Sequence, residues 1–233
     1  MLYFLSKDQK AELEFVAESK SDALQRKLLE ISAQLKSIAN NKVVQVYSTK
    51  FQDPVLSEYM ADFKEVLPVL SYVNADGIEE VKVVNGDVSN QFIDRRDDVL
   101  FRRAMKAPNK VFLSSVELSP ELGLPALRMA IAKRAYFGDR FVGLISAIIP
   151  LARITKVVID QKIGETGFCS VIDSDGTILA FPDPEKVLTR MYNDGKATED
   201  FMPRVNLLKP SYKKSYIFDT ECLVASGKIV VLK

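Results

Sequence analysis

The feature that most constrains the fold is a long segment without helix-breaking residues near the start of the chain. Neither Pro nor Gly occurs between Ser6 and Asn40, and the segment begins with the capping-box pattern Ser6-Lys7-Asp8-Gln9. Its apolar residues recur at spacings of four and three positions, in the order Leu24, Leu28, Ile31, Leu35 and Ile38. We therefore predict one long helix with a narrow apolar seam. The seam either packs on the chain's own domain or contacts a partner copy, and both interpretations stay open.

A second helix is predicted between Pro54 and Pro68, because Asp53 is a good N-cap residue and Pro is favoured at the first helical position. Five β-rich runs follow, at residues 69–73, 78–84, 110–116, 127–136 and 140–149. A short helix around Phe101 interrupts them. Tight turns at 74–77 and 137–139 join neighbouring runs as antiparallel hairpins. The pattern predicts an α+β module, with a five-stranded antiparallel sheet and helices to one side.

The remaining sequence repeats this plan in a shorter form. A connecting helix is expected at 151–160, then a strand, a turn and a partner strand between residues 167 and 181, and further strands at 215–219 and 223–232. We expect an N-terminal stalk helix at 1–50, a first module at 51–155 and an incomplete second module at 156–233. Both apolar ends look cut from a longer protein, and the alternative is a short protein with apolar termini.

Composition excludes several classes of function. The 233 residues include no His, which removes Ser-His-Asp and Cys-His triads and imidazole zinc sites. The 32 Lys and Arg residues against 31 Asp and Glu give a net charge of +1, too small a surplus for a nucleic-acid binder. Cys169 and Cys222 permit one disulfide at most, and two buried thiols are the alternative. No stretch approaches the roughly 20 apolar residues of a membrane-spanning helix.

Three aspartates of the second module, Asp173, Asp175 and Asp183, support an alternative function, a small enzyme that uses carboxylates or Lys. Turn positions explain the same residues without catalysis. Their spacing lacks the Gly and Glu of a calcium-binding EF-hand loop, so we expect no metal site. A further alternative is a soluble adaptor whose long helix forms a coiled coil with a partner.

The segment from Ile163 to Val187 resembles the double Cache family of extracytoplasmic sensor domains in bacterial and archaeal receptors. The matching motifs are Thr166-Gly167-Phe168, Asp173-Ser174-Asp175-Gly176 and Pro182-Asp183-Pro184, in the family's order. The first half is similar too, at Asn74-Ala75-Asp76-Gly77 with Ile78-Glu79-Glu80-Val81, and in the strand 110–119. The resemblance covers residues 24–233.

This resemblance implies a long N-terminal helix carrying two stacked PAS-like modules, with a small-molecule ligand bound in the membrane-distal one at 51–155. It further implies an extracytoplasmic location, a membrane-anchored parent receptor and signalling to an output domain, for which we favour a histidine kinase over a chemoreceptor or a cyclic-dinucleotide enzyme. The segment itself is then a sensor without enzymatic activity or cofactor. A homodimer through the N-terminal helix is also expected.

Family members that bind amino acids hold the ligand carboxylate with an Arg, followed by aromatic residues, and the amine with an Asp. In this sequence the Arg position falls near Asp98, the aromatic positions near Leu100 and Phe101, and the Asp position near Ile148. Only Phe101 fits. Asp98 repels a carboxylate and Ile148 cannot neutralise an ammonium, so the sequence favours a different ligand.

Strand position supplies the remaining pocket candidates. The residues expected to converge over the distal sheet are Tyr72, Phe101, Phe112, Ser114, Arg128 and Tyr136. Arg128 is the strongest, because it is a lone cation in the apolar run 127–131 and suits an anionic or carbonyl ligand. The alternative places Arg128 on the solvent face of its strand and the aromatic residues in the core.

Overall fold

The computed structural model describes residues 7–107, 109–135, 140–160, 163, 167–173, 176–189, 211–217 and 220–226, with backbone only for residues 7–10 and the last two ranges. The chain divides into two compact units. The first unit comprises Leu29–Leu151, and the second unit comprises the described residues before and after that range. The module boundaries expected at residues 50 and 155 stay a prediction. Among the described helices, none is long and apolar enough to cross a membrane.

The segment Lys7–Asn40 is one helix, as its lack of Pro and Gly predicts. The described helices are α1 (Lys7–Asn40), α2 (Lys42–Val46), α3 (Asp53–Ala61), α4 (Val99–Lys106) and α5 (Leu151–Ile159). Between α1 and α2 the side chain of Asn41 accepts a hydrogen bond from the Val43 amide at 2.9 Å and caps α2. The predicted second helix starts one residue early, because Gln52 and not Asp53 is its N-cap.

The apolar seam of α1 is buried along its whole length. Leu24 and Leu28 are 3% and 7% exposed, and Ile31, Leu35 and Ile38 are at most 1% exposed. The Ser32 hydroxyl on the same helix reaches the sulfur of Met129 in the sheet at 3.9 Å. The seam therefore packs on the chain itself, which decides between the two interpretations of the pattern. A homodimer through this helix stays a prediction and needs another face of it.

The sheet of the first unit is antiparallel throughout. Its strands are β1 (Val69–Asn74), β2 (Glu79–Val84), β3 (Asp87–Val88), β4 (Val111–Leu113), β5 (Glu117–Leu118), β6 (Pro125–Arg134) and β7 (Phe141–Pro150). The order is β3-β2-β1-β7-β6-β4, with β5 also paired to β6. The five predicted strands are present. The two additional ones, β3 and β5, have two residues each, too few to leave a periodic pattern in the sequence.

Helices lie on both faces of this sheet, and the expectation that they lie to one side is wrong. Neighbouring residues of a strand point to opposite faces. Met129 faces α1, whereas Ala130 packs with Phe101 and Ala104 of α4. The amphipathic pattern of α4 is short, and the sequence does not show which face it covers. The α4 face carries the candidate site.

The turn between β1 and β2 requires Gly77. Its φ is +83°, and an added Cβ would lie 2.8–2.9 Å from the Cγ, Cα and N atoms of Arg96. The Gly77 carbonyl accepts a hydrogen bond from the Arg95 amide at 2.7 Å, and the Asn74 side chain accepts from the Asp76 amide at 2.9 Å. The missing side chain lets the loop before α4 approach the end of the sheet.

The second unit contains two antiparallel strand pairs among the described residues. β8 (Val171–Ile172) pairs with β9 (Ile178–Ala180), and β10 (Ser211–Ile217) pairs with β11 (Thr220–Ser226). A positive φ of +85° at Gly176 closes the predicted turn before β9. The α+β class with a long N-terminal helix and antiparallel sheet is thus confirmed.

A lysine is buried on the α1 side of the sheet. Lys133 is 2% exposed, its ammonium donates a hydrogen bond to the Tyr47 carbonyl, and it lies 5.7 Å and 5.3 Å from the ring centroids of Tyr47 and Tyr72. Burial lowers the pKa of this ammonium to about 8. Burial, with the nearby Asp53 and Glu80, raises the pKa of Tyr47; burial and Glu80 raise that of Tyr72.

We predict that Lys133 makes the protein more stable as the pH rises from 7.5 to 9.5. The unfolded chain keeps its Lys protonated up to about pH 10.4, whereas the folded chain releases the proton near 8, so the unfolded state binds more protons in this interval. The gain relative to Lys133→Met is about 2 kcal/mol. Denaturant unfolding of both proteins across the interval measures it, and parallel pH curves contradict the prediction.

We also predict that Gly77→Ala lowers the free energy of unfolding by at least about 1 kcal/mol. The change combines a positive φ with a clash against the Arg96 backbone. Gly123→Ala is the matched control, because Gly123 has φ +64° but nothing within 4 Å of the added Cβ. Chemical denaturation should show the larger loss for Gly77→Ala, and equal losses would refute the role of the contact.

Candidate functional site

A small pocket opens on the α4 face of the sheet in the first unit. It has about 200 Å³ of empty space, including the part open to solvent. Its walls come from β1, β6, β7, the loop before α4 and the start of α4. The lining residues are Val73, Arg95, Asp98, Leu100, Phe101, Arg128, Ala130, Leu144 and Ser146. Five of the nine are apolar, which is typical of a small-molecule site with a few polar groups that orient the ligand.

Arg128 and Asp98 form an ion pair in this pocket. One terminal nitrogen of Arg128 contacts Oδ2 of Asp98, and the two side chains are 11% and 16% exposed. Asp98 is also the N-cap of α4, because its Oδ1 accepts a hydrogen bond from the Leu100 amide at 2.7 Å. Each carboxylate oxygen of Asp98 therefore already has one partner within the protein. The alternative that places Arg128 on a solvent face is wrong.

The backbone at Arg128 is fixed by Ser114. The Ser114 amide donates to the Arg128 carbonyl at 2.8 Å, and its hydroxyl accepts from the Arg128 amide at 3.0 Å and donates to the Ser115 carbonyl at 2.6 Å. Ser114 thus extends the pairing of β4 with β6 by one residue. It fixes the backbone of Arg128 and does not itself line the pocket.

Arg95 reaches the pocket from a buried network of four charged side chains, which we call the ion network. The Lys82 ammonium lies 2.9 Å from Glu79 and 3.0 Å from Glu121, and the Arg95 guanidinium lies 2.9 Å from Glu79 and 3.6 Å from Glu121. Glu79 and Lys82 are 1% exposed. The Ile93 amide donates to Glu79 at 3.0 Å, and the Ser119 hydroxyl to Glu121 at 2.9 Å.

An irregularity in β2 makes the ion network possible. Residues three apart on a regular strand point to opposite faces, so Glu79 and Lys82 would be separated. The register with β1 shifts at this point, since Tyr72 pairs with Val81 and Val73 pairs with Glu79. The bulge turns Glu79 to the face of Lys82. Two charged residues therefore meet in the interior, where burial requires pairing.

The structure brings two of the six predicted site residues into the pocket, Phe101 and Arg128. Phe112 is core, packed with Phe101 in one apolar cluster and covered by the Arg103 guanidinium at 5.0 Å. Tyr72 lies on the opposite face, where its ring meets Tyr47 edge-on at 4.6 Å and its hydroxyl donates to the Val142 carbonyl. Tyr136 lies outside the described residues.

Three polar residues that line the pocket, Arg95, Asp98 and Ser146, were not predicted from the sequence as pocket residues. Arg95 and Asp98 lie in a loop without periodicity, and the only signal was the charged run 94–98 before a helix. Ser146 sits in the apolar strand β7 as its one hydroxyl. Opposite Arg128 in the β6–β7 register lies Ile148, which packs with Val69 and Ala126.

In the described part of the second unit, the candidate aspartates lie in turns and caps. Asp183 caps a short helical turn, Pro184–Lys186, by accepting from the Glu185 amide at 3.0 Å. Asp173 lies in the hairpin turn, where its amide donates to the Thr177 carbonyl at 2.8 Å, and Asp175 lies outside the described residues. No group of three metal-binding side chains occurs in the described ranges.

Cys169 is a half-buried free thiol. Burial raises the pKa of this thiol, while the more distant Lys20 acts in the opposite direction. The side chain of Cys222 lies outside the described residues. Because the Cys169 thiol is free, the structure does not contain a disulfide between the two cysteines, and the alternative of two buried thiols stays a prediction.

Comparison with known proteins identifies the fold. The ligand-binding domain of the Pseudomonas aeruginosa PAO1 amino acid chemoreceptor PctB, solved with L-Arg, is similar with a TM-score of 0.71 and 16% identity, over 96% of this chain and 90% of that one. A domain of a sensory box/GGDEF family protein from Vibrio parahaemolyticus matches with a TM-score of 0.68 and 15% identity, over 95% and 93%. The extracellular domain of vpHK1S-Z8, described as a histidine kinase, matches with a TM-score of 0.64 and 15% identity, over 89% and 84%.

No family model and no curated sequence matches the chain. The chain has the fold of extracellular sensor domains from chemoreceptors and histidine kinases. This is the fold expected from the resemblance to double Cache domains, and that prediction is confirmed.

We predict that Lys82→Met destabilises the protein by about 3–5 kcal/mol, because it leaves the buried carboxylates of Glu79 and Glu121 facing each other with only Arg95 between them. Arg96→Met is the control, since the Arg96–Asp94 pair is exposed and contributes little. Denaturant unfolding compares the two variants with the parent protein.

The dependence of stability on acid pH gives a second test of Lys82→Met. Burial raises the pKa of Glu121, but the hydrogen bonds from Lys82, the Glu121 backbone amide and Ser119, with the charge of Lys82, together outweigh burial and hold that pKa below its ordinary value. The resulting stabilisation is present above the ordinary carboxyl pKa, and it is lost as the pH falls through the lower pKa that Glu121 has in the folded protein. In Lys82→Met the free energy of unfolding should fall less steeply as the pH is lowered. An unchanged pH dependence in the acid range would contradict the role of Lys82 in lowering the pKa of Glu121.

Proposed function

We propose that this chain is the extracytoplasmic ligand-sensing part of a membrane receptor and binds a small molecule in the pocket of its first unit. The observation that carries the proposal is the pocket itself, a cleft with apolar walls that holds the buried Arg128–Asp98 pair and the rim residue Arg95. Such side chains are costly to bury, and a few polar groups among apolar walls are typical of sites that orient a small molecule.

The comparisons support this function through the fold. The PctB domain is described as the ligand-binding domain of an amino acid chemoreceptor, and the PctC domain was solved with GABA. The position expected for the carboxylate-binding Arg falls near Asp98 in this chain, and Asp98 is paired with Arg128. We therefore propose a small-molecule site in this pocket whose polar groups differ from those of the amino-acid-binding members.

Signal output follows from the same proposal. Ligand binding biases the equilibrium between two conformations of the sensor, and the membrane-anchored parent passes that bias to an output domain. A histidine kinase is our preferred output, and the vpHK1S-Z8 domain shows that this fold occurs in a protein so described. The parent would act as a homodimer on the extracytoplasmic side of the membrane.

We predict that Arg128→Ala weakens binding of the ligand at least tenfold, because a charge-assisted hydrogen bond contributes about 1.5–3 kcal/mol. A thermal-shift screen of small acids, amines, amides and sugars on the unaltered protein supplies the ligands, and titration calorimetry measures each hit.

Arg102→Ala is the matched control, since Arg102 lies on α4 with its side chain 52% exposed and does not line the pocket. Arg128→Lys tests the same site with the charge kept, and circular dichroism establishes that each variant folds. The proposal fails if every hit binds Arg128→Ala and Arg128→Lys as tightly as the unaltered protein.

A further inference from the structure

The charges at the pocket cancel within the described part of the chain. Lys82 and Arg95 face Glu79 and Glu121 at 2.9–3.6 Å, which makes the ion network neutral. Arg128 faces Asp98, which makes the second group neutral as well. A buried anion needs an excess of positive charge, and a buried cation an excess of negative charge. The pocket offers neither.

Both oxygens of Asp98 already have a protein partner. Oδ1 accepts from the Leu100 amide, and Oδ2 contacts Arg128. A ligand ammonium at this carboxylate would share it with Arg128, whose positive charge already neutralises Asp98 and repels a second cation. A ligand amine is therefore disfavoured.

The open hydrogen-bonding capacity of the pocket consists of a donor. The Nε of Arg128 is buried and has no hydrogen-bond partner among the described residues. A buried N–H without a hydrogen-bond partner is destabilising, and an acceptor atom on a ligand removes that cost. Ser146, 5% exposed, adds a hydroxyl that can donate or accept beside it.

We infer that the ligand of this pocket is a small uncharged molecule with a hydrogen-bond acceptor, such as an amide, a lactam or a ketone, whose oxygen accepts from Nε of Arg128. The inference rests on the proposed function and names the ligand class of the same site.

Four probes with the same four-carbon skeleton test the charge requirement. They are 2-pyrrolidinone, which is uncharged; butyrate, an anion; butylammonium, a cation; and 4-aminobutyrate, the zwitterion that yields the lactam on loss of water. Titration of the unaltered protein, followed by nuclear magnetic resonance, should show 2-pyrrolidinone binding at least tenfold more tightly than the other three. Its affinity should be insensitive to ionic strength, because no net charge is transferred.

A charge-changing variant makes the test sharper. Asp98→Asn keeps a side-chain oxygen that caps α4 but removes the charge that neutralises Arg128. We expect butyrate to bind this variant at least tenfold more tightly than it binds the unaltered protein. Asp97→Asn is the matched control, because Asp97 is the neighbouring residue and its side chain is fully exposed. It should leave all four affinities unchanged.

Failure of the inference is distinguishable from failure of the proposed function. If butyrate or 4-aminobutyrate binds the unaltered protein as tightly as 2-pyrrolidinone, and Arg128→Ala abolishes that binding, the pocket is a ligand site and the uncharged class is wrong. If none of the four probes binds, the uncharged class is also overturned. The proposed function falls only if the wider screen also yields no ligand that depends on Arg128.

Discussion

The ion network is the interaction on which the geometry of the pocket depends. Glu79 and Lys82 belong to β2, Arg95 to the loop before α4, and Glu121 to the loop after β5, so four side chains tie one strand to two loops. Removing these charges from water is costly, and their mutual attraction offsets that cost only when all partners are present. The loops over the sheet are thus held in a single arrangement, with Arg95 at the rim of the pocket.

Asp98 links this arrangement to the chemistry of the site. The Asp98 carboxylate lies at the end of the loop, where it caps α4 and neutralises Arg128. The loop, the helix and the Arg128 side chain are therefore fixed relative to one another. A carboxylate that serves two structural partners is a poor ligand group, whereas the guanidinium it holds keeps one donor free. The proposed ligand class rests on this open donor beside a carboxylate that Arg128 already neutralises.

Much of the fold could be predicted because it rests on local patterns. The seam of α1 shows a helical period over two heptads, and the turns at Gly77 and Gly176 lie between β-rich runs that pair in order. The candidate site was predicted only at Phe101 and Arg128. Glu79 and Lys82 meet through a bulge that no period-two pattern reveals, and Asp98 acts from a loop whose course is set by tertiary contacts.

Strand β6 connects the two faces of the sheet. Arg128 points into the pocket, and the next residue, Met129, contacts Ser32 of α1 on the other face. The β6 backbone at Arg128 is held by Ser114, so a ligand that pulls on the Arg128 side chain acts on a strand anchored on both sides. In the proposed receptor, the contact between Met129 and Ser32, one residue along β6 from Arg128, would link the proposed ligand contact to the long helix.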